Sequence, residues 1–222
     1  MEKILSICSG GIDSVSMTSK YKNKVITLMT FDYGQRGIKE IDVVKKFGRY
    51  IKADVIIKDV SNLKDIFGKN QLCGDVDIAS DYNKTVVVPL RNALFLQIAM
   101  IYAYTNKFDK IILGSHLDDI VEKNDERLYP DCSPEFFKTF ELAMDFGTFK
   151  SNGRVEIVSA SILGLHKKDL IRIGYENLGD FIFGTWSCYK TQEKHCGICE
   201  SCQNRKRCFD EVGIMDKTGY ID

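Results

Sequence analysis

The sequence predicts an α/β fold: a Rossmann-like parallel sheet with helices on both faces and a small C-terminal lobe. Three observations carry that prediction. Five apolar, β-branched-rich runs recur, at Ile4 to Cys8, Val25 to Phe31, Val55 to Ile57, Lys110 to Gly114 and Val155 to Val158. Between them lie segments with helical spacing, Ile38 to Ile51, Asn92 to Tyr104 and Lys167 to Leu178, and near-continuous apolar strands alternating with helices read as a sheet buried on both faces. Polar stretches follow the strands at Ser9 to Ser14, Asp32 to Arg36 and Ser115 to Asp119, where such folds bind ligands.

The first run feeds Ser9-Gly10-Gly11-Ile12-Asp13-Ser14. Adjacent glycines let the chain turn sharply and bring backbone N–H groups against an anion, while Ser9 and Ser14 add hydroxyl donors. A helix starting near Asp13 would add free N–H groups and positive potential. The hexapeptide alone also fits an ordinary Gly-Gly turn, and the polar segments at the other strand ends favour the anion cradle. Two better-known phosphate motifs are excluded. Gly68-Lys69 lacks the upstream glycine of a Walker loop because position 63 is Leu63, and no G-x-G-x-x-G occurs. Further along, Pro89 stops a short strand and introduces the long helix, and Ser61 to Lys84, which has little periodicity, reads as a variable excursion or mobile loop.

Composition bounds the function. With 44% hydrophobic and 28% charged residues, the chain is neither disordered nor membrane-embedded. Lysine plus arginine equals aspartate plus glutamate at 31 each, so no global basic field exists and no direct nucleic-acid partner is expected. The apolar start ends at Ser9, too short for a signal core, and Val88 to Tyr104 is broken by Arg91, Asn92 and Gln97; a soluble cytoplasmic protein with no membrane partner is expected. No linker divides the 222 residues, which read as a single domain, with 1–184 the α/β body and 185–222 the lobe.

The eight cysteines are unevenly placed. Cys188, Cys196, Cys199 and Cys202 offer four thiolates with two C-x₂-C steps, as a tetrahedral zinc requires, and four protein ligands close the sphere so that the metal holds structure. His195 and Cys208 are substitutes to be weighed for one ligand. Redox or sulfur-carrying cysteines are the other reading, which leaves one pair unexplained.

Ser-Gly-Gly-x-Asp-Ser after a first strand resembles the pyrophosphatase-type loop of ATP enzymes with the adenine nucleotide alpha hydrolase-like fold. Phe31-Asp32-Tyr33-Gly34-Gln35-Arg36, Val88-Pro89 with Arg91-Asn92, Tyr129-Pro130-Asp131-Cys132 and Thr185 to Tyr189 with Cys196-Gly197, Cys199, Ser201-Cys202 and Arg205 together resemble the 7-cyano-7-deazaguanine synthase family. These motifs span almost the whole chain. The resemblance implies an ATP-dependent ligase that converts 7-carboxy-7-deazaguanine and ammonia to the nitrile by adenylation, through an amide, in queuosine or archaeosine biosynthesis. It implies ATP, Mg²⁺ and Zn²⁺ as cofactors and is compatible with a homodimer.

The same resemblance implies roles. Cys8, Ser9, Gly10, Gly11, Asp13 and Ser14 would hold phosphate, with Asp13 bracing the loop or positioning Mg²⁺, and His116 and Asp119 would line the nucleotide site. Arg91 and Lys167 would neutralise phosphate or carboxylate charge; the alternative for each is a solvated surface charge. Tyr33, Gln35, Arg36, Arg91 and Asn92 would meet the substrate, and Tyr129 and Asp131 the face and donor edge of its ring. Cys132 reads as a small buried hydrophobe, Trp186 either stacks on a base or wedges the lobe against the core, and Arg205, Lys206 and Arg207 read as a solvated helical face. The chain departs from the family pattern at Gly37, Leu90 and Ser133, and Ile120 to Leu128 looks like an insertion. A ligase that stops at the amide, a tRNA sulfur transferase sharing the loop, and a zinc-stabilised ATP-sensing module remain as alternatives.

Overall fold

The computed structural model describes residues 2–68, 70–73, 77, 87–123, 126–190 and 192–221. Strands β1 (Lys3–Ile7), β2 (Val25–Asp32), β3 (Asp54–Asp59), β4 (Lys110–Leu113) and β7 (Glu156–Ser159) form a sheet in the order β3-β2-β1-β4-β7. Every pairing in it is parallel. Strands β5 (Glu122–Lys123) and β6 (Glu126–Arg127) make a separate antiparallel ribbon within the stretch that read as an insertion.

The alternation of side chains along the strands builds two cores. Leu5, Met29, Phe31, Ile111 and Ile157 face one way and pack on α3 (Arg91–Asn106) and α4 (Pro134–Phe146). Ile4, Leu28, Ile112 and Val158 face the other way, against α1 (Ile12–Ser19), α2 (Lys39–Ile51) and α5 (Lys167–Leu178). With period two, neighbours along one strand serve opposite layers, which is why the runs are apolar throughout. The chain leaves β1 toward β2 on one side and toward β4 on the other, so the carboxyl ends of β1 and β4 flank the point where a crevice opens.

Helix α1 is unusual in burying seven of its eight residues while carrying few large apolar side chains. Its hydroxyls are satisfied locally: Thr18 Oγ1 donates to the Ser14 carbonyl at 2.7 Å and lies 2.6 Å from Ser6 Oγ, and Ser19 Oγ donates to the Ser16 carbonyl at 2.7 Å. Helix α5 lies close against it, and a Cβ on Gly174 would collide with Ser16 Oγ. At the free edge of the sheet, buried Glu141 of α4 accepts a hydrogen bond from the Ile157 amide at 2.7 Å and an ion pair from Arg154 at 2.8 Å. That carboxylate occupies the edge donor that would otherwise be unpaired.

The lobe contains α6 (Glu200–Val212), which shares a core with α1 and α5 through Ile12, Ile171, Phe183 and Phe209. Arg205 is fully buried, which corrects the solvated face expected of it. Its guanidinium donates to Thr185 Oγ1 at 2.9 Å, Ser187 Oγ at 3.1 Å, the Ile182 carbonyl at 3.2 Å and Thr218 Oγ1 at 3.1 Å. A planar fork suits that divergent set of acceptors. Lys206 bonds the Gly197 carbonyl at 3.3 Å, and Arg207 alone of the three is exposed. Of the excursion expected between Ser61 and Lys84, Ser61–Phe67 form a 3₁₀ helix; most of the remainder lies outside the described residues.

Leu90 caps α3 in the left-handed region, at φ 56° and ψ 19°, with its side chain 66% exposed. A branched side chain there costs about 1 kcal/mol, and little burial offsets it. Leu90→Gly is therefore expected to raise stability by about 0.5 kcal/mol after the glycine's own entropy cost, and Tm by ~1–2 °C. Leu90→Ala keeps the strain and should show no gain in the same melts.

Candidate active site

A cavity of about 940 Å³ opens at the carboxyl ends of β1 and β4. Its walls include Ser9, Gly11, Asp13 and Ser14 from the first loop, Tyr33 and Gln35 after β2, and Arg91 and Asn92 at the start of α3. His116 and Asp119 after β4, Tyr129 and Asp131 before α4, and Lys167 at the start of α5 complete the convergence. Residues separated by most of the chain thus meet at one place because each follows a strand or begins a helix at the same sheet edge.

The loop is held closed by its own polar groups. Ser9 Oγ and Ser14 Oγ lie 3.2 Å apart, the Ser9 amide donates to Ser14 Oγ at 3.1 Å, and the Gly11 amide donates to Ser9 Oγ at 3.2 Å. Gly10 takes φ +88°, and a Cβ there would run into the Glu40 carbonyl. Gly114 matters for a different reason: a Cβ would come within 2.6 Å of the Ser14 amide nitrogen. Only a bare backbone at the end of β4 lets the first turn of α1 sit this deep.

Lys167 Nζ reaches Asp13 Oδ2 at 2.8 Å, and His116 Nε2 stands 3.8 Å from Asp13 Oδ1 and 3.6 Å from Asp119 Oδ1. Burial alone would raise the Asp13 carboxyl, but Lys167 and then His116 more than reverse this and hold it far below the usual carboxylate range. Burial works against a charged His116, yet Asp119 and Asp13 keep its value raised. Asp119 itself is raised by burial, with His116 opposing. Asp118 supports the arrangement: its Oδ2 accepts from the Lys167 amide at 2.8 Å and its Oδ1 meets His166 Nδ1 at 2.7 Å. Lys167 opens α5 and is buried, which removes the reading of a solvated charge.

Arg91 is also no surface charge. One terminal nitrogen donates to the Tyr33 hydroxyl at 3.1 Å, the guanidinium stands 5.3 Å from that ring's centre, and Nε is buried without a hydrogen-bond partner among the described residues. Asp131 accepts from the Asn92 amide at 3.3 Å, capping α3, and burial raises its carboxyl. Cys132 accepts from Asn92 Nδ2 at 3.4 Å, and burial pushes its thiol well above the ordinary range. Gln35 spends its amide on its own turn, accepting from the Tyr33 amide at 2.9 Å and donating to the Phe31 carbonyl at 3.0 Å. Gly10 and Arg36, both expected at the site, are not among the residues lining the cavity.

Beside this cavity the four sulfurs of Cys188, Cys196, Cys199 and Cys202 all lie within 4.8 Å of one another. Thiolates at about 2.3 Å around a tetrahedral metal stand about 3.8 Å apart, so the donor set fits; Cys196 and Cys202 are at 3.9 Å. Backbone amides of Lys190 and Cys196 each point at Cys188 Sγ at 3.4 Å, and that of Cys199 at Cys196 Sγ at 3.3 Å, the outer bonds that orient thiolates. His195 is not a ligand: its Nε2 accepts from the Ser187 amide at 3.0 Å and its ring packs 4.4 Å from Trp186. Cys208 sits apart, against Phe209 and Ile171. Trp186 is buried, donates from Nε1 to the Cys188 carbonyl at 2.8 Å, and its amide donates to the Gly10 carbonyl at 3.0 Å. It is the wedge between lobe and loop.

The whole arrangement can be compared with known proteins. Residues 3–213 match the family model described as "Queuosine biosynthesis protein QueC". The chain belongs to that family. It is 34% identical over 227 residues to the 7-cyano-7-deazaguanine synthase of Allorhizobium ampelinum, covering 99% of this chain and 93% of that one. The Brucella anthropi synthase is 34% identical over 228 residues (99% and 94% coverage), and the Sinorhizobium fredii synthase 32% over 228 residues (99% and 92%). A crystal structure described as a "predicted subunit of tRNA methyltransferase" from Methanocaldococcus jannaschii aligns at TM-score 0.46 and 13% identity over 79% of this chain and 76% of that one; at that distance it bears on nothing here. Among the described residues no helix is long and apolar enough to cross a membrane.

Several side chains at the cavity were not singled out by sequence, among them Glu40, Asp118 and His166. Glu40 lies in the first turn of α2, five residues past Gln35, and Asp118 and His166 flank Asp119 and Lys167. The signal available for Glu40 was its place just beyond the polar Asp32 to Arg36 stretch, on a helix whose start faces the same edge.

Two predictions come from this geometry. Asp13→Asn strands a buried Lys167 and is expected to cost about 2–3 kcal/mol, less than a fully buried pair because 27% of the Asp13 side chain is exposed. Since the folded Asp13 value lies below its unfolded value near 3.9, its contribution is complete above about pH 4 and fades below it; the gap between parent and variant in denaturant melts should narrow as pH falls through 4. Separately, stripping the Cys₄ metal with a chelator should lower Tm by about 10 °C, with recovery on adding Zn²⁺ and none on adding Mg²⁺.

Proposed function

We propose that this chain is an ATP-dependent C–N ligase that converts 7-carboxy-7-deazaguanine and ammonia into 7-cyano-7-deazaguanine, through an acyl-adenylate and an amide. The observation that carries the reading is the meeting of a pyrophosphatase-type loop, Arg91 and Lys167 around one cavity large enough for a nucleotide and a second ring. Membership of the family supports the choice of substrate.

A carboxylate is a poor electrophile, so its oxygen first attacks the α-phosphorus of ATP and releases pyrophosphate. Ammonia then displaces AMP from the acyl carbon and leaves an amide. In a second round the amide oxygen is adenylated, and its departure with AMP leaves the nitrile. The chain's part is positioning and charge. Free amides at the start of α1 and the Ser9 and Ser14 hydroxyls bind phosphate oxygens. Lys167, held by Asp13, and Arg91, with its unpartnered Nε, neutralise the phosphates and the substrate carboxylate. His116 and Asp119 line the nucleotide side. Asp13 Oδ1, buried without a hydrogen-bond partner among the described residues, is the donor available to a Mg²⁺ arriving with ATP. Tyr129 and Asp131 meet the ring, Asp131 with the oxygen that α3 does not use.

Cys188, Cys196, Cys199 and Cys202 would hold Zn²⁺, which supplies structure only, since four thiolates leave no open position. Sulfur transfer through Cys132 is disfavoured by that thiol's burial and raised value.

The test is a product assay. The pure protein with 7-carboxy-7-deazaguanine, ATP, Mg²⁺ and ammonium should release AMP and pyrophosphate and give the nitrile by mass. Amide as the end product would mark a ligase that stops halfway; absence of both amide and nitrile would sink the reading.

A further inference from the structure

The proposed reaction also needs a group at the cavity that accepts protons from nitrogen. Nitrogen arrives carrying hydrogens and ends with none, so it must lose protons while bound at the cavity. Arg91 and Lys167 are cations and Asp13 is committed to Lys167. Asp131 caps α3, and Cys132 is a protonated thiol.

Glu40 is placed differently. Its carboxylate lines the cavity and accepts no hydrogen bond from another described residue, while its backbone carbonyl lies against Gly10. The side chain is therefore anchored to the phosphate loop by its own main chain. At Gly37, a Cβ would come 3.7 Å from the Glu40 carboxyl carbon, so a side chain there would stand against it. The charged and titratable groups facing it are Arg91 from α3, Tyr33 after β2 and Cys8 at the end of β1.

We propose that the Glu40 carboxylate is the base that takes the protons shed by nitrogen as the substrate's carboxyl carbon becomes a nitrile carbon. The inference rests on the function proposed above. As the ammonia nitrogen bonds to the acyl carbon and the C–O bond to AMP breaks, AMP leaves with the bonding pair and one N–H proton passes to Glu40, which returns it to solvent. In the second round the amide oxygen displaces pyrophosphate from ATP as an N–H proton goes to Glu40. The C–O bond to AMP then breaks, AMP carries off the amide oxygen, and loss of the last N–H proton completes the C≡N bond. Burial supports this use, pushing the Glu40 carboxyl up to about 8 with Arg91 only partly offsetting it, near the working pH where a base is most effective. None of its neighbours competes in that range, as burial pushes Cys8 up to about 11 and Tyr33 up to about 12.

Glu40→Gln keeps the shape and removes the base. In the zinc-loaded full chain, substrate-dependent exchange of pyrophosphate into ATP, which needs no proton from nitrogen, should stay within about threefold of the parent. Amide and nitrile formation should fall about 10²-fold or more. Plotted against free ammonia, the parent's turnover should rise with a midpoint near pH 8; Glu40→Asp should keep that limb at reduced rate and Glu40→Gln should lose it. Nitrile formation unchanged in Glu40→Gln overturns the proposal. Exchange falling in step with nitrile also overturns it, making Glu40 a ring-binding or loop-shaping group. If Glu40→Gln melts well below the parent, Glu40→Asp decides, because loss of its pH limb with exchange intact is equally fatal. A parent that neither exchanges pyrophosphate nor makes product overturns the function itself, and the role of Glu40 with it.

Discussion

The contact on which the site depends is the ion pair between Asp13 and Lys167, 154 residues apart in sequence. It can form only because Gly114 lets the first turn of α1 settle against the end of β4, and because Gly174 lets α5 pack directly on α1. Asp118 then fixes the Lys167 amide while Asp119 faces His116. A partly buried pair of this kind contributes little net stability against the same volume of apolar groups. Its value lies in direction. A cation is aimed at the mouth of the Ser9 to Ser14 loop with its rotamer settled before any ligand arrives, so less side-chain order must be imposed on binding.

The lobe serves the same loop from the other side. The Trp186 amide bonds the Gly10 carbonyl, and its indole bonds the carbonyl of Cys188 in the Cys₄ cluster. Arg205 ties α6 to the Ile182 to Ser187 segment that carries Trp186. Order in the Cys₄ cluster is thus transmitted to the loop through two hydrogen bonds and a buried guanidinium. The Cys₄ cluster and the cavity are one mechanical unit although no cluster sulfur need touch a substrate.

The sheet was legible because buried parallel strands write themselves as apolar runs; all five were readable, with ends within one or two residues. The long helices α2, α3 and α5 were equally plain. Helix α1 was legible only as a start near Asp13, since its serines and threonines satisfy one another in a way hydropathy does not register. Helix α6 defeated the pattern through Arg205, because charge in a sequence argues for solvent and says nothing of the acceptors that can surround a guanidinium. At the site, most of the residues in recognisable motifs converge on one cavity, Gly10 and Arg36 excepted, whereas Glu40 was invisible. A glutamate in the first turn of a helix is ordinary on charge grounds, and only the fold reveals that this one looks inward. Gln35 lines the cavity as its motif suggested, and its amide also makes two hydrogen bonds within its own turn.

The departures from the family pattern are absorbed locally. Ser133 caps α4, its hydroxyl accepting from the Phe136 amide at 3.2 Å, and leaves the neighbouring Asp131 and Cys132 on their partners. Leu90 carries its strain with its side chain turned outward, so Arg91 still enters the cavity from the first turn of α3. Gly37 differs in kind, because a side chain there would stand against the Glu40 carboxylate, its Cβ 3.7 Å from the carboxyl carbon. Two of the three changes therefore bear on stability, and the third on access to a carboxylate. If the substrate chemistry of this chain differs from that of its relatives, the physical place for the difference is the space between Gly37 and Glu40.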